Sequence, residues 1–473
     1  MITLGVVFEA LKGVRPAWAD RIIADVGIDS RTLIPGSMFV ALVGESADGH
    51  DFVPAAFENG ASFALIDHPV DPGLRVIDLR RDGEPDWEQE IEEPFCLLVD
   101  DSLAALQQVA GFWRDKLNLR VIGITGSVGK TTTKELTTTV LKQRYRTLKN
   151  PGNLNNEIGL PMTLWRLSEG HQRAVLEMGF YVPGEIAFLC DLAKPAVGVL
   201  TTIGTVHAER AGSIEVIARG KAELVQSLPP APEGVAILNY DDPLVRKMAD
   251  QTQARVFYYG LSPEAELYAD QVEGLGLDGI KFRLHYQGET IYLKVPLIGR
   301  HSVHTVLRAA AVGLVEGLSW EEISRGLRSE QSQLRLVAVK AASGATILDD
   351  TYNASPKSMM ADLNLLEEMK GRRVAVLGDM LELGRYEHQG HWKVGIRAAE
   401  VADHLVTVGK LGKTIARAAA ESGLKADHIH SFETCDEASQ FLNEYLEDGD
   451  IVLVKGSRGM QMDKIVAALE VGS

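Results

Sequence analysis

The sequence predicts an α/β protein of three domains, on three grounds. At 473 residues the chain exceeds what one hydrophobic core organises. From RVIGIT (Arg120–Thr125) onward, short apolar strand patterns alternate with helical stretches, as in mostly parallel sheets covered by helices. One strand-to-helix turn is the glycine-bearing GSVGK, a type that cradles phosphate groups. The expected division is a small α/β domain over 1–100, a central phosphate-loop domain over 101–330, and a Rossmann-like α/β domain over 331–473. In the central domain the sheet is expected to be mostly parallel, with antiparallel strands appended.

The first hundred residues mix short apolar runs with turn signals such as IPGSM and HPVDPG, and RDGEPDWEQEIEEP reads as an acidic exposed loop. Asp101–Leu117 has helical spacing, with Leu103, Leu106, Val109, Ala110 and Trp113 on one face and Asp101 or Ser102 as N-cap. Beyond GSVGK, TTTKELTTTVLKQR reads as helix, and RAVLEM, AVGVLTTI and VAILN as strands. KFRLHYQGETIYLKV alternates around Gln287-Gly288-Glu289 and predicts an antiparallel hairpin. The polar GLRSEQSQL (Gly326–Leu334) breaks the periodicity and marks the second boundary. ATILDD, RVAVLGD, HLVTVG and IVLVKG are the strands expected after it.

A composition 45% hydrophobic and 24% charged supplies several soluble cores, and no apolar run is long enough to cross a membrane. With no signal-peptide pattern at the start, a cytoplasmic protein without membrane insertion is expected. Three scattered cysteines, Cys96, Cys190 and Cys435, exclude a disulfide framework and fit buried small hydrophobes. A net charge of −17 excludes a general nucleic-acid binder. Nothing in the sequence demands an oligomer, and a monomer is expected.

The strongest local signal is GITGSVGKTT, Gly123 to Thr132. Glycines let the backbone turn its N–H groups toward the oxygens of a triphosphate, and the helix N-terminus adds partial positive charge. Lys130 supplies a cation for the β and γ phosphates, and the Thr131 hydroxyl can ligate Mg²⁺. The strict phosphate-loop spacing would place a glycine at Ile124, but the glycines stand at 123 and 126.

Thr125, Gly126, Ser127, Val128, Gly129, Lys130, Thr131 and Thr132 instead match the loop T-G-[ST]-x-G-K-T of the Mur ligase family, and the resemblance extends along nearly the whole chain. It implies ATP and Mg²⁺ as cofactors and a P-loop ATPase-like central domain. In LEMG, Glu177 closes a strand. Read alone it is a solvated charge; by the resemblance it is a Mg²⁺ ligand. TTIGTVHAERAGSIEVIARGKAEL resembles the family's T-N-I-G-x-x-H and A-K-x-E stretches. His207 would then serve a second Mg²⁺, and Lys221 would support the metal where it is carbamylated. Thr202, standing where the family has Asn, is assigned no role.

The family activates a carboxylate as an acyl phosphate, which an amine then attacks. Charge gathers on oxygens, so positioning and cations carry catalysis and no nucleophilic side chain is needed. IDSRTLIPGSMFVALVGESADGHDF resembles the family's uridine-nucleotide module, implying that Ser30 and Arg31 contact the UDP-sugar while the DGHDF turn shapes the pocket. NLNNEIGLPMTLWRL resembles an element between ATP and the peptide, where Asn153 and Asn156 would read substrate groups.

LDDTYNASPKSM, VLGDMLELG and KGSRGM resemble the branch that adds D-alanyl-D-alanine to UDP-N-acetylmuramoyl-tripeptide, a step of peptidoglycan precursor synthesis. That resemblance places Asp350 at ATP, Asn353 at the dipeptide, and Arg335 at a phosphate. Lys455 and Arg458, in KGSRGM, read as site cations, with solvated surface charges as the alternative. The alternatives are a Mur-ligase paralogue or a folylpolyglutamate-synthase-like ligase with another acid or amine. One departure stands out: the family's G-x-H-N-x-x-N-A-L, with asparagines near the adenine, reads G-R-H-S-V-H-T-V-L here. Ser302 and Thr305 replace both asparagines, leaving His301 and His304 to meet the base.

Overall fold

The computed structural model describes residues 2–44, 46–80, 87, 90–205, 208–329 and 337–470. The chain divides into two compact units. The first holds residues 1–123, 145–179 and 185–196, and the second 124–144, 180–184 and 197–473.

In the first unit five short parallel strands form a sheet in the order Val26–Gly27, Ser37–Val40, Ala61–Ile66, Phe95–Leu98, Val76–Asp78. Phe39, Ala64, Ile66 and Cys96 bury one face against Val53 and Ala56 of the helix Val53–Glu58. The helix expected from Asp101 runs Ser102–Asp115, and the Asp101 carboxylate accepts the Ala104 N–H at 2.7 Å. Most of RDGEPDWEQEIEEP lies outside the described residues. The unit also contains Arg120–Thr125 up to residue 123, then Arg173–Glu177 and Thr147–Lys149, neighbours in that order.

In the second unit the strand order is Glu289–Val295, Ile280–Tyr286, Leu267–Gly274, Arg255–Gly260, Val235–Asn239, Val197–Leu200. The expected hairpin is antiparallel, with Tyr286 opposite Glu289, and the inner strands pair in parallel. Thr201 N–H donates to Thr125 O at 3.0 Å, so the strand end that opens into GSVGK lies beside the end of Val197–Leu200.

The last sheet runs Val337–Lys340, Thr346–Asp350, Ile451–Lys455, Arg373–Gly378, His404–Val408, Ile429–Phe432, parallel except for its first pair. Its strands bury both faces. Val374 and Val376 pack on Leu442 and Ile465, while Ala375 and Leu377 pack on Leu363, Val394 and Ile415. That period of two gives doubly covered strands their continuous apolar reading. Thr346–Asp350 and Arg373–Gly378 flank Ile451–Lys455, so the chain skips a place in the sheet there. The carboxyl ends at such a place are where open α/β sheets bind ligands. Most of the linking segment GLRSEQSQL lies outside the described residues. Among the described residues no helix is long and apolar enough to cross a membrane.

Candidate active site

The phosphate loop is shaped by contacts within the second unit. Gly126 has φ 144°, and a Cβ there would stand 1.8 Å from Thr201 Oγ1. Only glycine fits that approach. Ser127 N–H donates to Thr202 O at 2.7 Å, and Ser127 Oγ exchanges hydrogen bonds with the Gly204 backbone. Thr202, assigned no role from the sequence, therefore anchors the loop through its carbonyl. Gly129, in the left-handed region, caps the helix Lys130–Leu141. Lys130 Nζ donates back to Gly126 O at 3.0 Å, which draws its ammonium over the loop. Thr125 is buried, and Val128, Thr131 and Thr132 are half-buried along the same turn. A glycine-shaped cradle at a helix N-terminus, closed by a lysine and flanked by hydroxyls, suits a polyphosphate and its Mg²⁺.

Lys221 lies on the helix Ile214–Gln226, only 1% exposed. Its Nζ is 4.8 Å from the centroid of the Phe180 ring. Gly220 makes this possible, since a Cβ there would meet Phe180 at 2.0 Å. His207 and Arg335 lie outside the described residues.

At the carboxyl end of the last sheet, Lys455 is 1% exposed and paired with both Asp350 and Asp362, the latter at 2.9 Å. It is not the surface cation the sequence allowed. Burial raises the Asp362 carboxyl above the usual carboxylate range, against the pull of Lys455. Loss of solvation opposes the Lys455 charge, but Asp362 and Asp350 outweigh it and raise its pKa. Asn353 is exposed and turns its Oδ1 onto the Ala354 N–H. His301 lies at the surface. Loss of solvation to the protein around its ring lowers its pKa to about 4, with Asp350 opposing the shift and Lys455, His304 and Arg308 adding to it. The other departures are engaged within the protein: Ser302 Oγ donates to Ile298 O at 2.7 Å, and His304 Nε2 meets Asp241 at 2.9 Å.

In the first unit Glu177 is 2% exposed at the end of its strand. Asn155 Nδ2 donates to Glu177 Oε1 at 2.9 Å. Asn150 accepts the Glu177 N–H and donates to the Glu177 carbonyl, as a neighbouring strand would. Asn153 and Asn156, expected from the sequence to read substrate groups, belong to the same segment. Asn153 is exposed, and Asn156 accepts the Gly159 N–H at 2.9 Å. The asparagine density of the run was the signal for Asn150 and Asn155, but which members face Glu177 depends on the turn.

Ser30 is buried. Arg31 is exposed and bidentate on Asp29, which holds that carboxyl down at about 2. Asp48 of the DGHDF turn and Asp67, just past the strand Ala61–Ile66, bracket two imidazoles, His50 and His68, whose ring centroids lie 3.6 Å apart at a tilt of 31°. Asp48, His50 and His68 could together face a cation. However, the His50 Nε2 lone pair accepts the Asp67 N–H at 3.1 Å, which leaves its proton on Nδ1 toward Asp48. All three cysteines are buried, and burial pushes the Cys96 thiol up to about 12, which removes it as a nucleophile.

Three family models match the chain: "Mur ligase family, catalytic domain" over 22–110, "Mur ligase middle domain" over 124–313, and "Mur ligase, glutamate ligase domain" over 334–458. The chain is 36% identical to the UDP-N-acetylmuramoyl-tripeptide--D-alanyl-D-alanine ligase of Bacillus subtilis (strain 168), over 98% of this chain and 97% of that one. Among solved structures it resembles MurF from Acinetobacter baumannii, with TM-score 0.81 and 32% identity over 98% of each chain. It also resembles the MurF ligase from Thermotoga maritima in complex with ADP, with TM-score 0.77 and 26% identity over 94% of this chain and 96% of that one.

Proposed function

The chain belongs to the Mur ligase family, and on that premise we propose that it is an ATP-dependent ligase joining D-alanyl-D-alanine to the terminal carboxylate of UDP-N-acetylmuramoyl-tripeptide. The products are UDP-N-acetylmuramoyl-pentapeptide, ADP and phosphate. The γ-phosphoryl passes to the carboxylate, giving an acyl phosphate. The dipeptide amine then attacks the acyl carbon, and phosphate leaves. The near-full-length match to relatives bearing that name favours this reading over a paralogue or folate-type ligase with another substrate.

The observation that carries the ATP half is the loop closed by Lys130 over Gly126, a cradle built for phosphate oxygens. Lys130 would offset charge on the transferred phosphoryl group, and Thr131, Glu177, His207 and a carbamylated Lys221 would hold Mg²⁺. Held there, Mg²⁺ would supply positive charge to the phosphate oxygens. Asn155, by fixing one Glu177 oxygen, would orient the carboxylate for that task. His301 and Asp350 would lie along the nucleotide. Asn353 would face the dipeptide, and Ser30, Arg31, Asn153 and Asn156 the UDP-muramoyl peptide. Arg31 would exchange Asp29 for a ligand anion. The domain division 1–100, 101–330 and 331–473, a cytoplasmic location and a monomeric state belong to the same reading.

The test supplies the purified protein with ATP, Mg²⁺, UDP-N-acetylmuramoyl-tripeptide and D-alanyl-D-alanine, and follows phosphate release. Release is expected to require the dipeptide. Equal or better release with a different amine, and none with D-alanyl-D-alanine, refutes the substrate assignment.

A further inference from the structure

Behind the phosphate loop stands a buried arginine that the loop pattern does not require. Arg308, on the helix Val303–Val315, is 4% exposed. Its Nη2 donates to Thr305 Oγ1 at 2.8 Å, and its guanidinium lies 5.9 Å from the centroid of the Tyr259 ring. Its Nε has no hydrogen-bond partner among the described residues. A Cβ on Gly129 would come within 3.3 Å of Nη2 and 3.7 Å of Nη1, so the charged end abuts the residue that caps Lys130–Leu141.

Among the described residues no carboxylate forms an ion pair with Arg308. The nearby acids have other partners: Asp241 takes His304, and Asp242 takes the Ile203 and Leu244 N–H groups. A buried charge without a counter-charge is costly to the empty protein, and such a cost is offset where an anion arrives. The anion expected beside Gly129 is a polyphosphate. Arg308 also holds Thr305, the residue standing in place of the second family asparagine.

We propose that Arg308 is a positioning charge for the nucleotide: a fixed cation acting through the Gly129 turn on the bound polyphosphate. It shifts part of the nucleotide grip from the base, where the asparagines are gone, to the phosphates. The inference rests on the ATP reading above. It follows that Arg308 matters equally for ATP and GTP.

R308Q keeps a donor for Thr305 without the charge, and R308K keeps the charge. KM and kcat for ATP and GTP, and thermal midpoints with and without ATP–Mg²⁺, are measured for all three proteins. For R308Q, KM is expected to rise roughly tenfold for both nucleotides, as loss of a unit charge held several ångströms from the polyphosphate implies in a partly screened site, with kcat changed less than about twofold. Its nucleotide-free midpoint should not fall, its ATP-induced shift should shrink, and R308K should recover most of the loss. An R308Q protein with wild-type KM overturns the proposal, and so does one that fails to fold, because a charge kept for a ligand is dispensable without it. A wild-type midpoint that ATP–Mg²⁺ does not move sinks the ATP reading itself.

Discussion

At Gly126 a backbone φ of 144° and a prospective Cβ only 1.8 Å from Thr201 Oγ1 leave no room for a side chain. Gly126→Ala should therefore displace the carbonyl that holds Lys130, and ATP affinity by calorimetry should fall by about tenfold or more, as for a lost charge-assisted contact. Unchanged affinity would separate nucleotide binding from this loop. His301 gives a second test at the same scale. Its pKa of about 4 in the fold, against 6.5 when unperturbed, means that between those values the unfolded chain binds a proton the folded chain does not. Stability is then unaffected above pH 6.5 and declines as pH falls toward 4. Denaturant midpoints of His301→Gln should lose that part of the slope, whereas a slope identical to wild type would show that the ring is well solvated.

Secondary elements seat the loop through close helix contacts. A Cβ at Gly326, on the helix Trp320–Leu327, would come 2.6 Å from Val140 Cα on Lys130–Leu141. Gly313 on Val303–Val315 likewise leaves no space before Ile323. Arg144 ties the same bundle to Glu322 and the Gly317 carbonyl. The helix that presents Lys130 thus rests on a floor without slack. Gly326→Ala is expected to cost about 1–3 kcal/mol from overpacking, read as a lower urea midpoint. An unchanged midpoint would mean the helices part freely.

For the whole molecule the governing quantity is a net charge of −17 facing anionic substrates. Attraction is confined to local cations such as Lys130 and Arg308, while the long-range field repels. Raising ionic strength from roughly 10 to 150 mM, which shortens the screening length to about 8 Å, should therefore speed nucleotide association in stopped-flow measurements. A steep slowing with salt would show that the local cations dominate at long range as well.

What could be read without coordinates shares one property: it is written contiguously or periodically along the chain. The α/β class, the hairpin around Gln287-Gly288, the Asp101 cap and the GSVGK turn all depend on residues within one or two turns of each other. The resemblance that led to the family rests on contiguous motifs of the same kind. Tertiary structure alone decided which asparagine of NLNN grips Glu177, that Lys455 is locked between Asp350 and Asp362, and that Arg308 backs Gly129. Those pairings join residues 22, 105, 93 and 179 positions apart. Chain spacing carries no information about them, because the packing of helices and strand ends sets the distances. Burial then sets their chemistry, by removing the water that would otherwise level every one of these charges.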